Sequence, residues 1–279
     1  MEINGLDQFA QGAQEGAVIR PRNHRLRRGV YLLPSFFTVG NLICGYYSIL
    51  ATLEGHVGDL DNAARAIGAA FLFDALDGQV ARATGTNSEF GKQFDSLADV
   101  VSFGIAPAFL AYVWGVRDLP LSDWGSLGVH AYQLGWLVCF IFLACCAWRL
   151  ARFNIQGMAP GGARYFVGLP TPAAAGMIAA TVHATPGPIP NVCLSLPWLA
   201  LVVAVGILMA STLRYYSFKD IQWQKRHSSL RVVVLAGIGG AVVFYSKVTL
   251  LLMASIYLAH GPVLQLIRMI RHRRSSRPA

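Results

Sequence analysis

Apolar residues along this chain come in long blocks, each closed by a short polar or glycine- and proline-bearing stretch. Eight blocks can be read, over residues 32–53, 63–81, 94–116, 131–150, 170–184, 196–213, 232–245 and 249–266. Most approach the ~20 residues an α-helix needs to cross a bilayer. The pattern therefore predicts an all-α integral membrane protein, a polytopic bundle of about eight transmembrane helices. The fifth and seventh blocks are shorter. Only the Ser246–Lys247 region divides the last two, for which a broken hairpin is the other reading. Two helices are expected, because more than ~30 residues is too long for one ordinary span. No connection is long enough to mark a second domain. One transmembrane domain is expected over 20–266, between a mobile N-terminal tail (1–19) and a basic C-terminal tail (267–279). The first long block begins near Leu32 and is too long for the core of a secretory signal.

Composition agrees with the pattern: 54% of the 279 residues are hydrophobic and 13% charged, against about a quarter charged in soluble domains. A formal net charge of +9 raises nucleic acid as a partner, but the cations flank apolar blocks. That placement favours anionic lipid headgroups and control of topology, and no nucleic-acid partner is expected. With the N-terminus in the cytoplasm and sides alternating, 20 of the 23 Lys and Arg residues fall inside. Only Arg65, Arg117 and Lys247 fall outside, where Glu54, Asp59, Asp61, Asp118 and Asp123 lie. This asymmetry predicts cytoplasmic termini, an even number of spans and a place in the cell's inner or plasma membrane. The basic run 20–28 reads equally as an interfacial amphipathic helix or as a topology anchor. The cysteines Cys44, Cys139, Cys145, Cys146 and Cys193 lie in or beside apolar blocks without metal-ligand spacing, and read as buried thiols.

One stretch breaks the scarcity of acid. Residues 74–99 read D-A-L-D-G-Q-V-A-R-A-T-G-T-N-S-E-F-G-K-Q-F-D-S-L-A-D, placing Asp74, Asp77, Asp95 and Asp99 at the ends of two apolar blocks. At about 100° per residue, Asp74, Asp77, Gly78 and Ala81 share an arc of roughly 100° on one helix. Gly91, Asp95, Ala98, Asp99 and Ser102 share a similar arc on the next. A carboxylate near the bilayer interior costs about 2.5–3.5 kcal/mol, and clustering adds repulsion. Pairing with Arg82 or Lys92, or helix capping, accounts for one or two of these residues. Divalent cations account for all four, since hard ions such as Mg²⁺ or Mn²⁺ take carboxylate oxygens. The interleaved small residues leave room for metal and a substrate phosphate. Asp74 precedes Arg82 by eight residues, about 12 Å along a helix, so the site is expected to open at the inner leaflet. No Ser–His or Cys–His arrangement for nucleophilic catalysis can be read from the sequence.

Asp74-x2-Asp77-Gly78-x2-Ala81-Arg82-x8-Gly91-x3-Asp95-x3-Asp99 resembles, position for position, the signature of the CDP-alcohol phosphotransferase family. The resemblance extends over most of the chain and points to its phosphatidylserine synthase branch. The segments that carry it are 33–42 (LPSFFTVGNL), 149–154 (RLARFN), 168–176 (GLPTPAAAG) and 216–219 (YSFK). Ser35 departs from the branch, which commonly has Asn after Pro. The other class of phosphatidylserine synthase uses a His-x-Lys motif, and no histidine here is followed two residues later by Lys.

The resemblance implies an integral membrane enzyme that joins a CDP-linked donor to an alcohol and releases CMP, with two divalent cations, Mg²⁺ or Mn²⁺. It implies metal binding by Asp74, Asp77, Asp95 and Asp99, with Asp99 the candidate general base. Donor contacts fall to Asn41, Gly78, Ala81, Arg82 and Gly91. The expected partners are CDP-diacylglycerol, L-serine and CMP, with anionic lipids around the protein and a second copy forming a homodimer. A serine acceptor brings a carboxylate, and Arg149, Arg152, Asn154 and Lys219 are available to meet it, Arg152 with Asn154 first. The 168–176 segment is expected to shape the acceptor or lipid pocket. Glycerol phosphate, inositol phosphate and choline are the alternative acceptors within the family. An ion- or proton-coupled transporter and an intramembrane aspartyl protease are the readings from other classes. A protease leaves two of the aspartates without a role.

Overall fold

A computed structural model describes residues 24–84, 88–119, 126–156, 165–185, 187–216, 237 and 239–275. The first apolar block becomes helix α1 (His24–Glu54) and the second α2 (Val57–Thr84). They are joined by a turn at Gly55, whose φ of 75° is in the left-handed region that glycine adopts without strain. The Arg117 side chain lies over this turn, where a Cβ on Gly55 would collide with its guanidinium. α1 has 31 residues, about 46 Å of helix, more than a ~30 Å hydrocarbon core needs. Among the described residues, 24–28 are the first turns of α1 rather than a separate interfacial helix.

α1 and α2 pack along most of their length. Ala51, Ala63, Ala64, Ala66 and Ala70 are buried there, so the two backbones approach closely. Ser48 Oγ reaches across to the carbonyl of Ala63 at 3.0 Å.

The third block forms one long rod, capped at its start by Ser88, whose Oγ accepts from the Gly91 N–H at 2.9 Å. It runs as α3 (Glu89–Asp99), a π-helical stretch (Val100–Ile105), α4 (Ala106–Tyr112) and a second π-helical stretch (Val113–Arg117). α-to-π changes shift the hydrogen-bond register and leave backbone carbonyls to other donors. Neighbouring elements supply them. Trp198 Nε1 donates to Ala111 O at 3.0 Å, Ser195 Oγ to Gly115 O at 2.6 Å, and the Ile189 N–H to Trp114 O at 2.8 Å. Gly115 is required here, because a Cβ would overlap the Trp198 ring.

α5 (Ser126–Gln156), α6 (Thr171–Ala184), α7 (Val192–Ala210) and α8 (Ser246–Ser275) complete the bundle. Two three-residue strands, β1 (Tyr165–Val167) and β2 (Arg214–Tyr216), pair antiparallel with Phe166 opposite Tyr215. Gly168, at φ 81°, turns the chain from β1 towards α6 and donates its N–H to Leu213 O at 2.8 Å. The core runs through the middle of the bundle, with Phe103, Leu110, Phe142, Ile178, Val202 and Met209 buried.

Among the described residues, five helical stretches are long and apolar enough to cross a membrane: Phe36–Glu54, Glu89–Arg117, Tyr132–Ile155, Val192–Ala210 and Ser246–Gln265. They make this an α-helical membrane protein. α6 has only 14 residues, and α2 carries charges along its length. Most of the seventh block's start lies outside the described residues. Its end, 239–244, is helical and leads into α8 through Tyr245.

Candidate active site

The acidic stretch folds as a helical hairpin, α2 descending to it and α3 returning. Asp74, Asp95 and Asp99 each bring one carboxylate oxygen within 4.8 Å of the others. At that spacing and an effective dielectric of about 20, each pair of ionised groups repels by roughly 3–4 kcal/mol. Asp99 is buried, and Asp95 Oδ1 is buried with no hydrogen-bond partner. Like charges, oxygen donors and an unpartnered buried oxygen fit a divalent cation. Asp77, one turn after Asp74, stands beside this trio: it is buried and accepts a hydrogen bond from Thr38 Oγ1.

α1 lines the hairpin. Asn41 is fully buried and donates through Nδ2 to Asp99 Oδ1 at 3.0 Å. The first π-helical stretch begins one residue after Asp99 and sets Ser102 against α1. Ser102 Oγ donates to Asn41 O at 2.9 Å, and a Cβ on Gly45 would overlap Ser102. Arg82 is exposed and lies over Gly78, where a Cβ would sit 3.3 Å from Nη1. Ala81 is half-buried. Gly91 sits in the first turn of α3, engaged with the Ser88 cap.

On the side facing α5, Arg149 is buried, within electrostatic reach of Asp99, and bonded to Thr171 Oγ1 at the N-terminus of α6. Its Nε is buried without a partner. The structure gives the first-ranked pair of acceptor residues other engagements. Arg152 donates to the carbonyls of Ala210 (3.1 Å), Ser211 (3.1 Å), Val167 (3.2 Å) and Met209 (3.5 Å). A guanidinium fork at the end of α7 satisfies carbonyls that the helix leaves free. Asn154 Nδ2 donates to Ser96 Oγ at 2.9 Å, tying α5 to α3. Lys219 lies outside the described residues.

A second polar cluster lies elsewhere on the bundle. His183 on α6 is buried, with Nδ1 against Asp61 of α2 and Nε2 2.9 Å from Ser246 Oγ at the start of α8. Asp61 also pairs with Arg65 at 2.7 Å. The sequence did not disclose this Ser–His–Asp cluster. Its members come from three helices, and Asp61 and His183 are 122 residues apart. Asp61 precedes Asp74 on α2 by about 20 Å of helix, so the cluster is remote from the three carboxylates. It joins α8 to α2 and α6. Replacing His183 with Leu is expected to cost about 1–3 kcal/mol, because the half-buried Asp61 and Ser246 lose their bonds to it. The thermal midpoint in detergent should fall by several degrees while turnover of the folded fraction holds. An unchanged midpoint would show that the cluster contributes no stability.

Residues 31–210 match the CDP-alcohol phosphatidyltransferase family. The chain belongs to this family. It is 32% identical over 249 residues to the CDP-diacylglycerol–serine O-phosphatidyltransferase of Helicobacter pylori, covering 87% of this chain and 94% of that protein. The enzyme of the same name from Mycobacterium leprae is 31% identical over 251 residues, 87% of this chain and 77% of that one. The archaetidylserine synthase of Methanothermobacter thermautotrophicus is 36% identical over 185 residues, 66% of this chain and 69% of that one. The family match spans the whole hairpin and both helices that face it, so the three clustered carboxylates, Asn41 and Arg149 all lie within it. Family members are generally divalent-metal dependent, which agrees with the donor set. Thr38, Thr171 and Ser102 gained no individual role from the sequence. Thr38 and Thr171 lie inside the segments that carried the resemblance, and Ser102 on the acidic arc.

Proposed function

We propose that this protein is a phosphatidylserine synthase, transferring the phosphatidyl group of CDP-diacylglycerol to the hydroxyl of L-serine and releasing CMP. The observation that carries the reading is the convergence of Asp74, Asp95 and Asp99 within 4.8 Å, with Arg149 within electrostatic reach of Asp99. Asp74, Asp95 and Asp99 would hold divalent cation, with Asp77 adjacent as the remaining ligand for a second ion; Mg²⁺ and Mn²⁺ both suit such oxygens. Bound there, the cations would neutralise the pyrophosphate and the charge that develops as its P–O bond breaks. Asp99 accepts the proton of the serine hydroxyl as its oxygen attacks the phosphorus carrying diacylglycerol. The new P–O bond forms as the bond to CMP breaks, with no covalent enzyme intermediate. Arg82 meets the donor's phosphate charge over the cleared surface of Gly78, with Ala81 and Gly91 small beside it.

Arg149 is the acceptor's anchor: its fork suits the serine carboxylate, and Thr171 holds it in place. The relatives' names favour serine. Those from Helicobacter and Mycobacterium name CDP-diacylglycerol and serine, and that from Methanothermobacter names archaetidylserine, so all three share the serine. The membrane arrangement that goes with this chemistry has about eight spans, α2 and α6 included, in one domain. Cytoplasmic termini put the site at the inner leaflet, within reach of soluble serine, and a homodimer is the expected assembly.

An acceptor panel with a metal titration tests the proposal. Purified protein should release CMP from CDP-diacylglycerol only with serine, and only with Mg²⁺ or Mn²⁺ present. Release driven by glycerol phosphate, inositol phosphate or choline instead would overturn the serine assignment while leaving the family intact.

A further inference from the structure

Asn41 is fully buried, and its side chain is committed at one end only. Nδ2 donates to Asp99 Oδ1 at 3.0 Å, whereas its own Oδ1 is buried with no partner. The orientation of the amide follows from chemistry: an ionised carboxylate can only accept, so the NH₂ group must face Asp99. The residue is held from behind as well, its backbone oxygen accepting from Ser102 Oγ at 2.9 Å. One turn earlier, Thr38 donates to Asp77. α1 thus presents two donors at i and i+3, one to an aspartate of each limb of the acidic hairpin.

A carboxylate turns about its Cβ–Cγ bond unless something fixes one of its oxygens. The Asn41 bond fixes Oδ1 of Asp99 and thereby decides where the second oxygen lies. Repulsion among three carboxylates within 4.8 Å would otherwise favour turning that oxygen away. We propose that Asn41 is a positioning residue: it holds the Asp99 carboxylate in the orientation in which it works with Asp74 and Asp95, and does not read the nucleotide. The inference rests on the role given to Asp99 above. Partners of groups that bind metal set ligand orientation in this way, and their loss costs about 10–100-fold in metal affinity or activity.

The test uses the full-length protein in nanodiscs, with Asn41→Leu, which keeps the branched shape without polar atoms, and Asn41→Ala, which only deletes atoms and serves if Leu is not tolerated. Mn²⁺ affinity is read without nucleotide from the electron paramagnetic resonance signal of the free ion. kcat and KM for CDP-diacylglycerol are measured alongside. Mn²⁺ affinity and kcat should each fall about 10–100-fold while KM for the donor hardly moves. The unpartnered Oδ1 gives the rival outcome its form. A raised donor KM with kcat and Mn²⁺ affinity intact would make Asn41 a nucleotide contact and overturn the positioning role. Asp99→Asn in the same assays separates the two levels. An inactive Asp99→Asn beside a wild-type-like Asn41→Leu sinks only the positioning role. A fully active Asp99→Asn sinks the reading of Asp99 itself.

Discussion

Asp99→Asn is expected to abolish CMP release while leaving binding of CDP-diacylglycerol measurable. Asparagine keeps the shape of the side chain but cannot take the proton of the attacking hydroxyl. General-base catalysis contributes about 10²–10⁴-fold, and Asp99 also lends an oxygen to the three-carboxylate cluster, so the loss should reach the upper end of that range or pass it. Donor binding survives because Gly78, Ala81 and Arg82, proposed to meet the CDP moiety, belong to α2, and Gly91, proposed beside them, lies in the first turn of α3, whereas Asp99 ends that helix. The decisive measurement pairs turnover with equilibrium binding of labelled donor. Near-normal turnover would remove Asp99 as the base, and lost donor binding would make it a binding residue instead.

Arg149→Gln is expected to raise the KM for serine by about 10–100-fold, the equivalent of one charge-assisted hydrogen bond of roughly 1.5–3 kcal/mol. Arg149 is buried within electrostatic reach of Asp99, has its fork braced by Thr171, and keeps a buried Nε without a partner. A side chain so enclosed is organised before its ligand arrives. Lysine should not rescue it, since a single ammonium cannot offer two parallel donors to a carboxylate. KM for the CDP-linked donor should change much less than KM for serine. Equal changes in both would mean that Arg149 acts on the charge of the cluster and not on the acceptor.

Arg152 shows how the acceptor side was legible only in part. From sequence, Arg149 and Arg152 are equivalent cations three residues apart on a predicted cytoplasmic helix end, and Arg152 gained preference from its neighbour Asn154. In the fold, Arg152 spans the end of α7 and the β1 turn and bonds their carbonyls. Asn154 is spent on Ser96. A helix face tells which side chains project together. It does not tell which of them meet unpaired backbone from elements 15 to 59 residues away.

The acidic hairpin was far more legible, because its information is local. Spacings of three and four residues put Asp74 with Asp77, and Asp95 with Asp99, on single faces whatever the rest of the chain does. The apolar blocks were legible for the same reason: hydrophobic length is a property of contiguous residues.

What the sequence by itself determined is therefore the membrane-spanning helical character, the family and the acidic stretch that forms the candidate site. Tertiary structure alone decided how the carboxylates of that stretch are divided. Thr38 takes Asp77, Asn41 takes Asp99, and Asp74, Asp95 and Asp99 are left as the compact trio. It also decided that His183 joins Asp61 and Ser246. The physical reason is common to both: a hydrogen bond depends on position to a few tenths of an ångström, and between helices that position is fixed only once their small residues have packed.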